Sequence, residues 1–137
     1  MSATRWPDAA ASATEVVAAL GLQPLPAEGG YWAPLYRDDD ANAIAYLMTP
    51  DGFSALHRLT VAEAWTWLAG APARMLHLDE DAHEIVLDAE HPAALVPPGT
   101  WQGTQTTGNW TLVMCWCLPA FTDECFSIGD RAPLIEQ

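Results

Sequence analysis

The chain has 137 residues, half of them hydrophobic and seven of them tryptophan, enough for one ordinary folded domain with its own core. Five Lys and Arg stand against eighteen Asp and Glu, a formal charge of −13 that would be repelled by phosphate backbones and anionic membrane surfaces. No apolar run approaches the roughly 20 residues of a membrane span, so neither nucleic acid nor membrane is an expected partner.

The start, MSATRWPDAAASATEVV, carries acids and lacks the basic head and apolar centre of a signal peptide. Three cysteines (Cys115, Cys117, Cys125) are an odd number without an export signal, which favours reduced thiols and a cytoplasmic location. Residues 1–11 read as a frayed, Ala-rich leader, and residues 12–137 as a single domain. Ser12 and Glu15 form an S-x-x-E capping box opening a short helix to about Leu20, with Gly21 as its C-terminal cap. So short a helix must pack Val16, Val17 and Leu20 on something else.

The loop PLPAEGG, with Pro24, Pro26, Gly29 and Gly30, delivers the chain into a strand, YWAPLYR. Pro34 cannot donate a ladder hydrogen bond, so this strand belongs at an edge or carries a bulge. After the acidic turn at residues 38–40 comes the strand AIAYLMT, and then strands every 8–12 residues: 53–59, 63–68, 73–78, 83–88, 93–96, 101–106 and 110–118. With no second helix, this spacing predicts an all-β sandwich or barrel. From Phe121 onward the pattern supports no more than a short strand or turn.

The chemistry concentrates in residues 52–70, GFSALHRLTVAEAWTWLAG. Side chains two apart on a strand share a face, so His57 and Leu59 point one way and Arg58 the other. After a polar break at Thr60, Glu63, Trp65 and Trp67 share a face again. A histidine beside a carboxylate in an apolar pocket suits general base chemistry, with Glu63 orienting the ring and raising its pKa. The alternative is a core histidine satisfied by Glu63 and a backbone carbonyl. Trp65, Trp67 and Trp101, with Tyr46 and Gln102, are candidates to line a cavity for a small, partly apolar or planar ligand; indoles also fill cores. Cys115 and Cys117 share a strand face as buried thiols, with Trp116 opposite. His77, His83 and His91, among Asp79, Glu80, Asp81 and Glu84, read as surface residues.

Four blocks in order resemble the Cupin-5 family (formerly the domain of unknown function 985) of the cupin superfamily. LGLQPLPAEGGYWAPLYR is similar to the family's L-G-L-x-P-H-P-E-G-G-Y-Y-R-E-T-Y-R, with one residue inserted and R-E-T replaced by Ala33, Pro34 and Leu35. LHRLTVAEAWTWLAG resembles F-H-R-L-x-S-D-E-x-W-H-F-Y-x-G, keeping His57, Arg58, Leu59, Glu63, Trp65 and Gly70, with Thr66 at the family's His. VPPGTWQ preserves V-P-x-G-x-W-Q, and LVMCWCLPAF resembles L-V-G-C-x-V-A-P-G-F.

The resemblance implies a cupin jelly-roll β-barrel with the short helix outside it, and a homodimer paired through the strand at residues 31–36. Cupins commonly hold a divalent metal with three His and one Glu; the matching positions here are His57, Leu59, Glu63 and Gln102. Leucine is no ligand and glutamine a poor one for a transition metal, so the expectation is no cofactor, or a divalent metal loosely held by His57, Glu63 and Gln102. The function expected is a small-molecule enzyme of the isomerase, epimerase or cyclase–lyase kind. His57 would move the proton, Glu63 would support it, and Arg58 or Gln102 would hold polar groups. The rival readings are a non-catalytic ligand-binding cupin and a metal-dependent oxygenase or decarboxylase.

Overall fold

The computed structural model describes Asp8 and residues 10–129. The leader expected at residues 1–11 falls mostly outside them, but the Ala11 carbonyl accepts a 2.7 Å hydrogen bond from Trp110 Nε1. Helix α1 spans Ala13–Leu20. Its capping box forms as expected: Ser12 Oγ accepts from the Glu15 amide and Glu15 accepts from the Ser12 amide. Gly21 closes it in a left-handed turn.

Eleven strands follow among the described residues: β1 Gln23–Pro24, β2 Tyr31–Arg37, β3 Asn42–Met48, β4 Ser54–Leu59, β5 Ala62–Gly70, β6 Ala73–Leu78, β7 Ala82–Leu87, β8 Ala93–Val96, β9 Trp101–Thr106, β10 Thr111–Leu118 and β11 Phe126–Ile128. They form two antiparallel sheets, in the orders β1-β2-β3-β10-β5-β8 and β11-β4-β9-β6-β7. A 3₁₀ turn, Asp123–Cys125, and β11 supply order in the tail that the sequence pattern barely marks. Strand β2 meets both consequences of Pro34. Its register with β3 shifts between Pro34 and Tyr36, and on its outer side β1 pairs only with Tyr31 and Trp32.

Alternation sorts the side chains. Tyr46 and Met48 on β3, Trp65 on β5 and Val113 and Cys115 on β10 face Ala73 and Met75 on β6 and Leu87 on β7, forming the core between the sheets. Their neighbours Ala45, Leu47, Ala69 and Leu112 face outward and are covered by Val16 of α1, Leu22 and Trp110. The short helix therefore packs on the outer face of the first sheet through Val16, with Val17 and Leu20 partly buried beside it, and gains there the support that a helix of its length lacks alone.

Two cross-strand rows matter for function. In the first sheet Arg37 pairs with Asn42, Asn42 with Cys117, and Cys117 with Glu63. In the second, His57 pairs with Gln102, Gln102 with His77, and His77 with His83. Paired residues share a face, so each row runs across the sheet interior toward the other.

Gly70 ends β5 at φ 91°, where a Cβ would lie 2.5 Å from the Trp110 ring. Gly70→Ala combines a left-handed backbone with a clash against a rigid indole, and should cost more than about 2 kcal/mol. Ser12→Ala, which only removes the cap, should cost about 1 kcal/mol. Urea unfolding of the two variants beside the parent checks the order.

Candidate functional site

The site begins in the loop at residues 25–30. The Leu25 amide donates to Gly30 O and the Gly29 amide to Leu25 O, folding the loop back on itself, while Ala55 N on β4 donates to Glu28 O. Gly30 lies so close to β3 that a Cβ would meet the Tyr46 hydroxyl at 2.5 Å. Tyr46 in turn donates its hydroxyl to Gly29 O. Glycine is required here by close approach, and the outcome is that Glu28 is aimed between the sheets.

There it joins His57 and Glu63. His57 Nε2 lies 4.0 Å from Glu28 Oε2 and 3.9 Å from Glu63 Oε1. The other ring nitrogen, Nδ1, donates to the Ala55 carbonyl at 2.7 Å, which fixes the ring with Nε2 toward the acids. The His57 ring stacks on Phe126, centroids 5.6 Å apart. Ser54 Oγ donates to Glu28 Oε2 at 2.8 Å and Gln102 Nε2 to Glu63 Oε1 at 2.8 Å. Each carboxylate thus has its own neutral donor besides the shared imidazole.

Burial alone would push the His57 pKa down, but the neighbouring negative charges of Glu28 and Glu63 outweigh it and raise it to about 9. At neutral pH the ring is imidazolium. Burial, followed by the neighbouring charge of Glu63, raises the Glu28 pKa against the opposing pull of His57.

A cavity of about 330 Å³ opens on this group. Glu28 and Glu63 line it, with Trp32, Ile44, Tyr46 and Phe121 among its apolar walls and Arg37 at its exposed end. His57 is not part of the wall. Its side chain is 1% exposed, against 17% for Glu28 and 9% for Glu63. The acids form the working surface and the imidazole stands behind them. Cys115 and Cys117 also line the cavity, and burial pushes both thiols well up, so they are neutral and unreactive there.

The other sequence candidates distribute differently from expectation. Tyr46 and Glu63 line the cavity, and Gln102 reaches it through Glu63. Trp65 is buried in the core beside it, edge-on to Tyr46 at 6.0 Å. Trp67 faces inward farther along β5, its Nε1 donating to Ala71 O, and does not line the cavity. Arg58 and Trp101 pair with each other, guanidinium over indole at 4.7 Å, on the sides of β4 and β9 opposite His57 and Gln102. Neither faces the cavity, because each sits one residue from an inward-facing one. His77 is buried against Met75 Sδ at 3.1 Å, not at the surface, since its row places it inside the second sheet. His83 and His91 are exposed.

Glu28 was the residue that periodicity could not find, because it sits on a loop. Its signal was the glutamate before the paired glycines of PLPAEGG, a polar residue held in a loop dense with conformational punctuation.

The donor set does not fit a tightly held metal. Gln102 faces Glu63 with its NH₂, a donor and not a lone pair. Leu59 stands on the cavity wall. Among the described residues no group of three or more His, Cys, Asp and Glu side chains is placed to hold an ion.

The family model described as Cupin superfamily (DUF985) matches residues 14–129. The chain belongs to this family. The cupin is similar to a hypothetical protein from Leishmania major, with 25% identity and a TM-score of 0.80 over 87% of this chain and 88% of that one. A protein from Shewanella oneidensis aligns with a TM-score of 0.78 and 25% identity, covering 88% of this chain and 85% of that one. Oxalate decarboxylase from Bacillus subtilis shares the fold, with a TM-score of 0.64 at 15% identity over 80% of this cupin and 30% of that chain. No curated protein matches. No helix among the described residues is long and apolar enough to cross a membrane.

The raised His57 pKa has a thermodynamic consequence with a definite sign. A folded-state value above the ordinary 6.5 means the native protein binds the extra proton. The stability it contributes is complete below pH 6.5 and is lost as pH rises toward and through about 9. The melting temperature should therefore fall across that window, and His57→Gln should flatten the fall. A slope unchanged in the variant would show that other groups titrate there.

Proposed function

We propose that this cupin is a small-molecule enzyme of the isomerase or epimerase kind, moving a proton at a carbon beside a carbonyl. The observation that carries the reading is the cavity onto which Glu28 opens with a raised pKa, backed by His57 and Glu63. A carboxylate made more basic than usual by burial, with an imidazolium beside it, suits abstraction of a weakly acidic C–H proton. Glu28 takes the proton; the C–H electron pair becomes the new C=C bond and the carbonyl π pair moves onto oxygen. Return of the proton to the opposite face of that carbon, by an acid on that face, gives the epimer. In an α-hydroxy carbonyl compound its return to the former carbonyl carbon, with the hydroxyl proton passing to the enolate oxygen so that the other carbon becomes the carbonyl, gives the isomer. As Glu28 is neutralised, negative charge passes from protein to substrate, so the buried group never holds more charge than at the start.

His57 in this scheme is a positioning residue. It is too buried to touch substrate, and from behind the two carboxylates it faces both with its positive ring. No step requires a metal.

Small aldoses, ketoses and aryl ketones incubated with the protein in D₂O, followed by NMR, test the chemistry directly through exchange of the proton beside the carbonyl. Glu28→Gln should reduce catalysed exchange by about 10²–10⁴-fold, and chelator should leave it intact. Exchange that survives Glu28→Gln, or that vanishes with chelator, would sink the proposal.

We also propose a homodimer through β2. Beyond Trp32 its outer edge has no partner strand among the described residues, and Leu35 and Tyr36 are 54% and 49% exposed. Sedimentation should give twice the chain mass at micromolar concentration, and Leu35→Lys should shift it toward the monomer.

A further inference from the structure

The cavity carries acids at its inner end, Glu28 and Glu63, while at its exposed end the guanidinium of Arg37 stands with one acid, Asp123. The first-sheet row from Arg37 through Asn42 and Cys117 to Glu63 places the two ends three strand spacings apart, about 14 Å between backbones. Between them the wall is mostly apolar, formed by Trp32, Ile44 and Phe121 among others, with Asn42 beside Arg37.

Arg37 is also held ready. Its Nη2 donates to the Phe121 carbonyl at 2.6 Å, while Asn42 Oδ1 accepts from the Phe121 amide at 2.7 Å. These two bonds fasten the segment after β10 to the ends of β2 and β3. They use one of the guanidinium's five N–H donors and leave a planar fork at the cavity. The other arginines among the described residues are committed elsewhere: Arg58 to the Trp101 face, and Arg74 to Glu84 through two hydrogen bonds of 2.9 and 2.8 Å. Arg37 forms no ion pair among the described residues, although the chain is strongly acidic and Asp123 lies on the same cavity wall. A preorganised guanidinium beside an apolar wall is matched by an anionic oxygen group on an apolar or planar body.

We propose that the cupin's ligand carries such a group, a carboxylate or a phosphate, which Arg37 holds at the cavity mouth while the rest of the molecule reaches inward toward Glu28. The assignment of the inward end as the reacting one rests on the acid–base function proposed above; the anion site does not.

Benzoate, phenyl phosphate, benzamide and benzylamine are titrated against the full chain, with tryptophan fluorescence as the readout because Trp32 lines the cavity. At least one anion should bind about 10-fold or more tightly than benzamide, the scale of a hydrogen-bonded charge. The tighter of benzoate and phenyl phosphate identifies the group. Arg37→Gln should abolish the preference while leaving benzamide binding in place, and Arg37→Lys, which keeps charge but not the fork, should fall between. Arg74→Gln lowers the net positive charge equally and should change nothing. The proposal is overturned if Arg37→Gln binds anions like the parent, if benzamide or benzylamine binds as well as the anions, or if neither anion binds at about 10 mM. Exchange in D₂O and anion titration are separate readouts. Loss of the first with the second intact refutes the acid–base chemistry alone, and the reverse refutes the anion site alone.

Discussion

Two carboxylates and one imidazole buried together are the constraint that the interior of this cupin is arranged around. An isolated buried charge costs several kcal/mol even after relaxation, so charged groups placed there need partners. Together they are each other's solvent. The imidazolium faces both acids at about 4 Å, and each acid also receives a neutral hydrogen bond, from Ser54 or from Gln102. Removing any one member leaves the other two with the wrong charge balance, which couples the site to the stability of the fold.

That coupling extends to the backbone. Glu28 reaches the group only because the 25–30 loop closes on itself and is bonded to β4 at Ala55, and the same Ala55 carries the carbonyl that orients His57. Tyr46 ties the loop to β3 through Gly29. One loop and two strands therefore position the acid and the imidazole as a unit. The first sheet supplies Glu63 and the second supplies Gln102, so the 2.8 Å bond between them crosses the interior and links the sheets at the cavity floor.

Polarity in the interior is segregated along the strands. At one end lie the acids, the imidazole and the open cavity; farther along, Met48, Trp65, Met75, Leu87 and Val113 close the space with apolar volume. The aromatic residues divide accordingly between wall, core and surface: Trp32 on the cavity, Trp65 in the core, Trp101 outside under Arg58. Indole content alone could not sort them, because the same side chain serves all three environments.

Local pattern determined much of this protein. The capping box of α1, the strand spacing, the bulge forced by Pro34 and the shared face of Cys115 and Cys117 are each decided by a few neighbouring residues and the geometry of a helix or strand. The partnership of His57 with Glu63 was legible for the same reason, through alternation on two consecutive strands and the family blocks around them. Only the tertiary structure decided the rest. Glu28 is 29 residues before His57 on a loop without periodicity, so its place beside the imidazole depends on a chain closure that no local window contains. Arg58 lost the site and Arg37 gained it through the same two-residue alternation, applied to different strands: one residue of offset turns a side chain from cavity to solvent. His77 went inward because cross-strand register, not the acidic text around it, set its face. Sequence specifies which residues can share a face; which faces meet is settled when the sheets pack and bury them.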